Sequence, residues 1–213
     1  MISISPSVRS AGALALAGLA FIAYPVLRGY GVETGLAGAA LYARPEWLLA
    51  HVLGMVGFVL LAIGISAVDE RAGRWATWGA FGVLPYYGAE AFGLHALGIQ
   101  VQRTGHADMT AVADLFRYHP IALTVFALGW IAFGAVGVRL IRLARRRSGL
   151  ERAGLLLVGI ALLAYLPQFF LPAFGRIGHG VVLGCGLLLL GYVVQSGRRR
   201  PADVEQELVA ASA

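Results

Sequence analysis

Six stretches of the chain are almost wholly apolar: Ala11 to Leu27, Trp47 to Val68, Trp75 to Gly98, Pro120 to Leu140, Ala153 to Leu171, and Ile177 to Val194. About 20 apolar residues in a helix cross the hydrocarbon core of a bilayer. In lipid only helices and closed barrels satisfy the backbone. Barrel strands alternate between apolar and polar positions over about ten residues, and these runs do not. The pattern therefore predicts an all-α fold, a bundle of six transmembrane helices. The first and last runs are short, so they should stand close to upright or thin the bilayer. Trp47, Trp75 and Trp78 lie near the ends of runs, where aromatic rings anchor at the membrane surface. Between Arg28 and Glu46, Leu36, Leu41 and Tyr42 sit beside polar residues and predict a short interfacial helix.

Composition strengthens this reading. The 213 residues are 59% hydrophobic and 13% charged, whereas soluble domains carry about 25% charged residues. All 17 basic residues are Arg. They sit in short segments between the runs, without the interleaved aromatics of strand-binding surfaces, so the net charge of +6 marks topology and not nucleic-acid binding. Arg9, Arg71, Arg74, the cluster Arg139, Arg142, Arg145, Arg146, Arg147 and Arg152, and the tail Arg198 to Arg200 fall on one side. Arg28, Arg44, Arg103, Arg117 and Arg176 fall on the other. The richer side is expected in the cytoplasm. Both termini then lie there, with a transmembrane domain over residues 1–200, a short cytoplasmic tail over 201–213, and membrane lipid as the constant partner. Arg145 to Arg147 also suit anionic lipid. The expected location is a bacterial plasma membrane. The first run exceeds the 7–15 apolar residues of a signal peptide and ends without a clear cleavage site, so it is read as a retained span. The single Cys185 excludes an intrachain disulfide and a CxxC metal site.

Ionisable residues within hydrocarbon are costly and mark function or a specific pairing. Glu90 lies deep in the third run and is expected to be protonated, paired or hydrogen-bonded. Tyr86 and Tyr87 precede it by four and three residues and share its face. Pro85 removes a backbone donor and predicts a kink. Gly88 and Gly93 would admit a helix or a flat ligand. His51, His95, His119 and His179 all fall near the extracytoplasmic ends of their runs and could line one polar cavity with Glu90. The bland alternatives are a core histidine bonded to a carbonyl for His51 and His179, and a helix-start residue for His119. His51-Val-Leu-Gly and His179-Gly-Val-Val open runs of the same direction, a weak internal similarity. The stretch Pro85 to Gly98, with the run before it, resembles uncharacterised small bacterial polytopic membrane proteins. That resemblance implies no activity.

Four functions compete. The first is binding of, or acid/base chemistry on, a hydrophobic small molecule such as an isoprenoid, quinone or lipid. Glu90, His95 and His51 are the candidate catalytic residues, and Tyr86, Tyr87, His179 and Gln168 the candidate ligand contacts. The second is a haem b protein with two axial imidazoles, in which Gly54, Gly178, Gly180 and Gly184 leave room for the macrocycle. The third is a small proton-coupled transporter, disfavoured by the scarcity of polar residues in the inner halves of the runs. The fourth is a packing subunit without chemistry. No histidines share i, i+4 spacing on one helix and no motif for zinc is present, so no metal site is expected.

Overall fold

The computed structural model describes residues 6–197, so the tail expected over 201–213, with Arg198 to Arg200, lies outside the described residues. Every regular element described is helical. The helices are α1 (Pro6–Leu27), α2 (Gly35–Tyr42), α3 (Pro45–Val68), α4 (Glu70–Gly88), α5 (Leu94–Thr104), α6 (Val112–Arg117), α7 (Pro120–Ala144), α8 (Gly149–Leu163) and α9 (Ala173–Ser196). Four segments are long and apolar enough to cross a membrane: Val8–Leu27, Pro45–Val68, Pro120–Ala144 and Ala173–Ser196.

The fifth apolar run departs from expectation. Its helix ends at Leu163 and the chain turns through a 3₁₀ segment at Pro167–Phe170. Pro167 explains the break. It has no N–H to donate and disfavours helical geometry at the residue before it. The third run, by contrast, passes Pro85 without ending. A π-helical turn at Ala89–Gly93 joins α4 to α5.

Six of the helices close a ring. α1 packs on α3 and α9, α3 on α4, α4 on α7, α7 on α8, and α8 on α9. Large side chains such as Leu16, Leu19, Ile63, Phe81, Leu128, Ile131 and Ile160 point outward and stay exposed, an apolar surface suited to lipid. Several crossings use glycine, because small residues let backbones approach closely. At the α4–α7 crossing a Cβ on Gly82 would stand 2.5 Å from Cα of Gly129.

Aromatic rings fill the middle of the ring. Phe58 of α3 meets Phe21 at 5.0 Å, Tyr87 at 5.2 Å, Phe133 at 5.2 Å and Tyr165 at 5.6 Å between centroids. Trp130 stacks on Tyr165 at 4.2 Å. Such pairs each add about 0.5–1.5 kcal/mol beyond their buried area. At one end of the bundle Asp69 caps α4 by accepting from the Ala72 N–H, and takes two bonds of 2.5 and 2.7 Å from Arg139 of α7.

At the opposite end α2, α5 and α6 build a cap. The expected interfacial helix forms as α2, but its Leu41 and Tyr42 are buried with Trp47, Leu94 and Ala113 in a second small core. Gly29 and Gly35, at φ of 71° and 61°, turn the chain between α1 and α2 and present Glu33 inward.

The glycine crossing gives a first prediction. Gly82→Ala forces a Cβ against backbone and should lower stability by about 1–3 kcal/mol. Gly12→Ala meets nothing within 4 Å and should stay within about 0.5 kcal/mol of the parent. Thermal unfolding of the two variants in detergent makes the comparison.

Candidate functional site

A cavity of about 340 Å³ lies under the cap. Tyr24 reaches it from α1, Arg28 from just past the end of that helix, Glu33 from the following loop, His51 from α3, and Tyr86 and Tyr87 from α4. Glu90 comes from the π turn, Arg117 and Tyr118 from the end of α6, Phe126 from α7, Phe169 from the 3₁₀ turn and Arg176 from α9.

Arg117 organises these groups. Its Nε donates to Glu90 Oε1 at 2.6 Å, and its Nη2 reaches Glu90 Oε2 and Glu33 Oε2, both at 2.9 Å. Its Nη1 donates to the Tyr42 hydroxyl at 3.2 Å, and that hydroxyl donates to the Glu33 carbonyl at 2.6 Å. The other oxygen of Glu33 takes 2.7 Å from Arg28. A bidentate guanidinium–carboxylate pair is among the stronger polar contacts available to side chains. Glu90 is 7% exposed, so a missing partner would leave a buried charge alone.

The π turn sets Glu90 in place. The Leu94 N–H bonds back five residues to the Ala89 carbonyl, the wide turn typical of functional irregularities in helices. Trp47 then donates its indole N–H to the Glu90 carbonyl at 2.9 Å. Trp47 is fully buried, which corrects its reading as a surface anchor: at the α3 terminus the cap covers it. Trp75 and Trp78 do stay exposed. One turn beyond Trp47, His51 donates from Nδ1 to the Trp47 carbonyl at 2.8 Å and turns Nε2 toward Glu90 Oε2, 3.8 Å away.

The structure brings together four of the sequence candidates, Glu90, His51, Tyr86 and Tyr87. Glu90 pairs first with Arg117 and only at longer range with His51, one of the histidines read as lining its cavity. Two guanidinium bonds under 3 Å hold it more strongly than an imidazole at 3.8 Å. His95 is a cap residue that donates from Nδ1 to the Tyr42 carbonyl at 2.9 Å. His179 donates from Nε2 to the Ala161 carbonyl at 2.8 Å, and it shares a separate small cavity with Gln168. His119 caps α7 in an exposed position and accepts from the Ile121 N–H. The four histidines thus do not share one cavity.

Haem does not fit these residues. His179 has committed Nε2 to a carbonyl, and His51 turns Nε2 to Glu90. Three of the four glycines proposed to leave space already admit neighbouring chain. A Cβ on Gly54 would meet the Tyr87 ring at 2.9 Å, one on Gly180 the Phe21 carbonyl at 2.6 Å, and one on Gly184 the Ile22 side chain at 2.4 Å. No group of three His, Cys, Asp or Glu suited to a metal ion occurs among the described residues.

Arg28, Glu33, Tyr42, Arg117 and Arg176 escaped the sequence reading. A signal was present: arginine is disfavoured on the extracytoplasmic side, and three of the five placed there line this cavity. Comparison with protein-family models, with curated proteins and with solved structures finds no match.

Two predictions come from the network. Arg117→Gln leaves Glu90 and Glu33 without their shared cation and should cost about 3–5 kcal/mol. Glu90→Gln should cost less, because Arg117 keeps Glu33. In the double variant the two losses should not add, with a coupling of about 0.5–3 kcal/mol in a thermal double-mutant cycle. The second concerns pH. Burial pushes the Glu33 carboxyl up, but Arg28 and Arg117 outweigh burial and hold it below its ordinary value of 4.5. A depressed carboxylate stabilises the fold above its unfolded value and loses that stabilisation as pH falls through the folded value. The melting temperature should therefore hold steady from about pH 7 to about pH 5 and fall below about 4.5, with a shallower fall in Glu33→Gln.

Proposed function

We propose that this protein spans a bacterial plasma membrane six times, with both termini in the cytoplasm. In this reading its capped cavity binds a hydrophobic small molecule of the isoprenoid, quinone or lipid class and acts on it by proton transfer. The observation that carries the reading is the pairing of a buried, fully partnered acid with an imidazole that turns one nitrogen toward the same cavity. Glu90 is held by Arg117, and His51 is oriented by the Trp47 carbonyl. His51 is the proton-transfer group, and Glu90 fixes its environment. Tyr86 packs in a tilted pair with Phe126 at 4.4 Å between centroids and offers a hydroxyl to the ligand.

The ring order of the helices supports six spans. Each long segment packs against its neighbours in chain sequence, and the arginine-rich ends α7–α8 and α3–α4 lie together, opposite the cap. A dead-end cavity favours binding or catalysis over transport. Beyond Tyr87 the way is filled by Phe21, Phe58, Trp130, Phe133 and Tyr165, each 5% exposed or less, and a carrier needs polar groups on both sides of the midplane.

The decisive experiment is purification in mild detergent with extraction of bound small molecules, on the parent and on Tyr86→Phe, His51→Asn and Glu90→Gln. His51→Asn and Glu90→Gln should lose binding or turnover. Tyr86→Phe keeps the ring packing and should lose about tenfold in affinity, the worth of about 1.4 kcal/mol, at an unchanged melting temperature. Full function in both His51→Asn and Glu90→Gln would end this reading. Reporter fusions that place residues 139–152 outside the cytoplasm would end the topology.

A further inference from the structure

Charge in the cavity is unbalanced. Three guanidinium groups face it against two carboxylates. Arg117 is saturated by Glu90, Glu33 and Tyr42, and Arg28 shares Glu33. Arg176 has no carboxylate among the described residues. Its Nε donates to the Leu171 carbonyl at 3.0 Å and its Nη2 to the Phe169 carbonyl. Nη1 faces no acceptor among the described residues. The guanidinium of Arg176 lies 5.6 Å from the centroid of the Tyr30 ring, and that of Arg28 lies 5.7 Å from the same centroid. Two like charges this close to one ring at the edge of a partly desolvated cavity repel each other. An anion between them would turn the repulsion into two charge-assisted bonds.

The wall beside Arg176 contains the shortest helix of the ring. α8 has 15 residues, while its neighbours α7 and α9 have 25 and 24. At 1.5 Å per residue α8 is roughly 22 Å long and its neighbours about 36 Å, so α8 stops short of the capped end. The 3₁₀ turn stands in its place and packs on α9. From this turn Phe169 lines the cavity, while Phe170 is 91% exposed, as is Phe174 at 79%. Phe126 of α7 lines the cavity on the other side of the gap. Phe126 and Phe169 thus give the cavity an apolar side above the end of α8, next to the unmatched cation.

We propose that the ligand is an amphiphile with an oxyanionic head group. The head lies between Arg28 and Arg176, and the tail leaves the bundle between Phe126 and Phe169 above the end of α8. This rests on the reading of the cavity as a site for a hydrophobic small molecule and specifies its chemistry. An oxyanion has the acceptor oxygens that two guanidinium groups require, and a neutral head would leave the cavity with its surplus charge.

The test is calorimetric titration of the full chain in maltoside micelles and phosphate-free buffer. The probes are farnesyl phosphate, farnesol and inorganic phosphate. Farnesyl phosphate should bind at least about tenfold more tightly than either of the others, as expected for one added charge-assisted contact. Arg28→Gln and Arg176→Gln should each erase its advantage over farnesol, read as the ratio of the two affinities in the same variant. Phe169→Trp should shift its emission on adding farnesyl phosphate and not on adding inorganic phosphate.

Equal affinity for farnesol and farnesyl phosphate in the parent protein would overturn the oxyanion assignment and leave the hydrophobic-ligand reading standing. Inorganic phosphate binding as tightly as farnesyl phosphate would make free phosphate the ligand and overturn the amphiphile. Binding of none of the three would count against both. Because the probe comparison uses the parent chain, a variant that fails to fold does not rescue the proposal. Farnesyl phosphate that binds without changing the Phe169→Trp emission would overturn the lateral path of the tail.

Discussion

Arg117 holds the capped end of this protein together. It stands at the last turn of α6 and touches three other parts of the chain: the π turn through Glu90, the α1–α2 loop through Glu33, and α2 through Tyr42. None of these contacts is local in sequence, so the guanidinium sets the geometry of the cap over the bundle. It also fixes the polarity of the cavity, because both acids there, the buried Glu90 and the half-buried Glu33, bond to it. What remains open to a ligand is the surrounding set of hydroxyls, the imidazole of His51 and the cation of Arg176.

The two ends of the bundle use the same chemistry for different purposes. Asp69 and Arg139 form a bidentate pair between the α3–α4 turn and α7. That pair sits at a helix junction, where it caps α4 and ties it to a neighbour. At the other end the bidentate pair of Arg117 and Glu90 is more deeply buried and is surrounded by tyrosines and tryptophan. Between the two ends the core contains glycine crossings and aromatic rings, with the Tyr87 and Tyr165 hydroxyls hydrogen-bonded to each other at 3.1 Å. The outcome is a bundle closed by side chains in the middle, with its polar cavity at one end.

Much of this was legible in the sequence. Apolar run length predicted a helical membrane protein, and the cost of charge in hydrocarbon singled out Glu90. Helical spacing then placed Tyr86 and Tyr87 beside it. The histidines show where such reasoning stops. Span position gives depth along the membrane normal, but contact also needs the angle around each helix axis and the order of helices in the ring. Those come from long-range packing, so the similar run positions of His95, His119 and His179 did not bring them to the site of His51. The arginines were read as topology markers, since the same residue type satisfies both roles. Trp47 was misplaced because the sequence near Trp47 does not reveal that α2 and α5 would fold back over the start of α3.

The π turn has a consequence of its own. An extra residue in a helix rotates everything beyond it by about 100° relative to a regular register. In the segment from Glu70 to Thr104 it lets the first part face α3 and α7 in the ring while the last part turns its buried side to α2 in the cap. One uninterrupted rod thereby serves two cores with different orientations. Glu90 sits at the point where the phase changes, and the Trp47 indole holds the carbonyl at that point. A shift of register there would rotate α5 off the face of α2 and swing the acid away from Arg117 in the same movement.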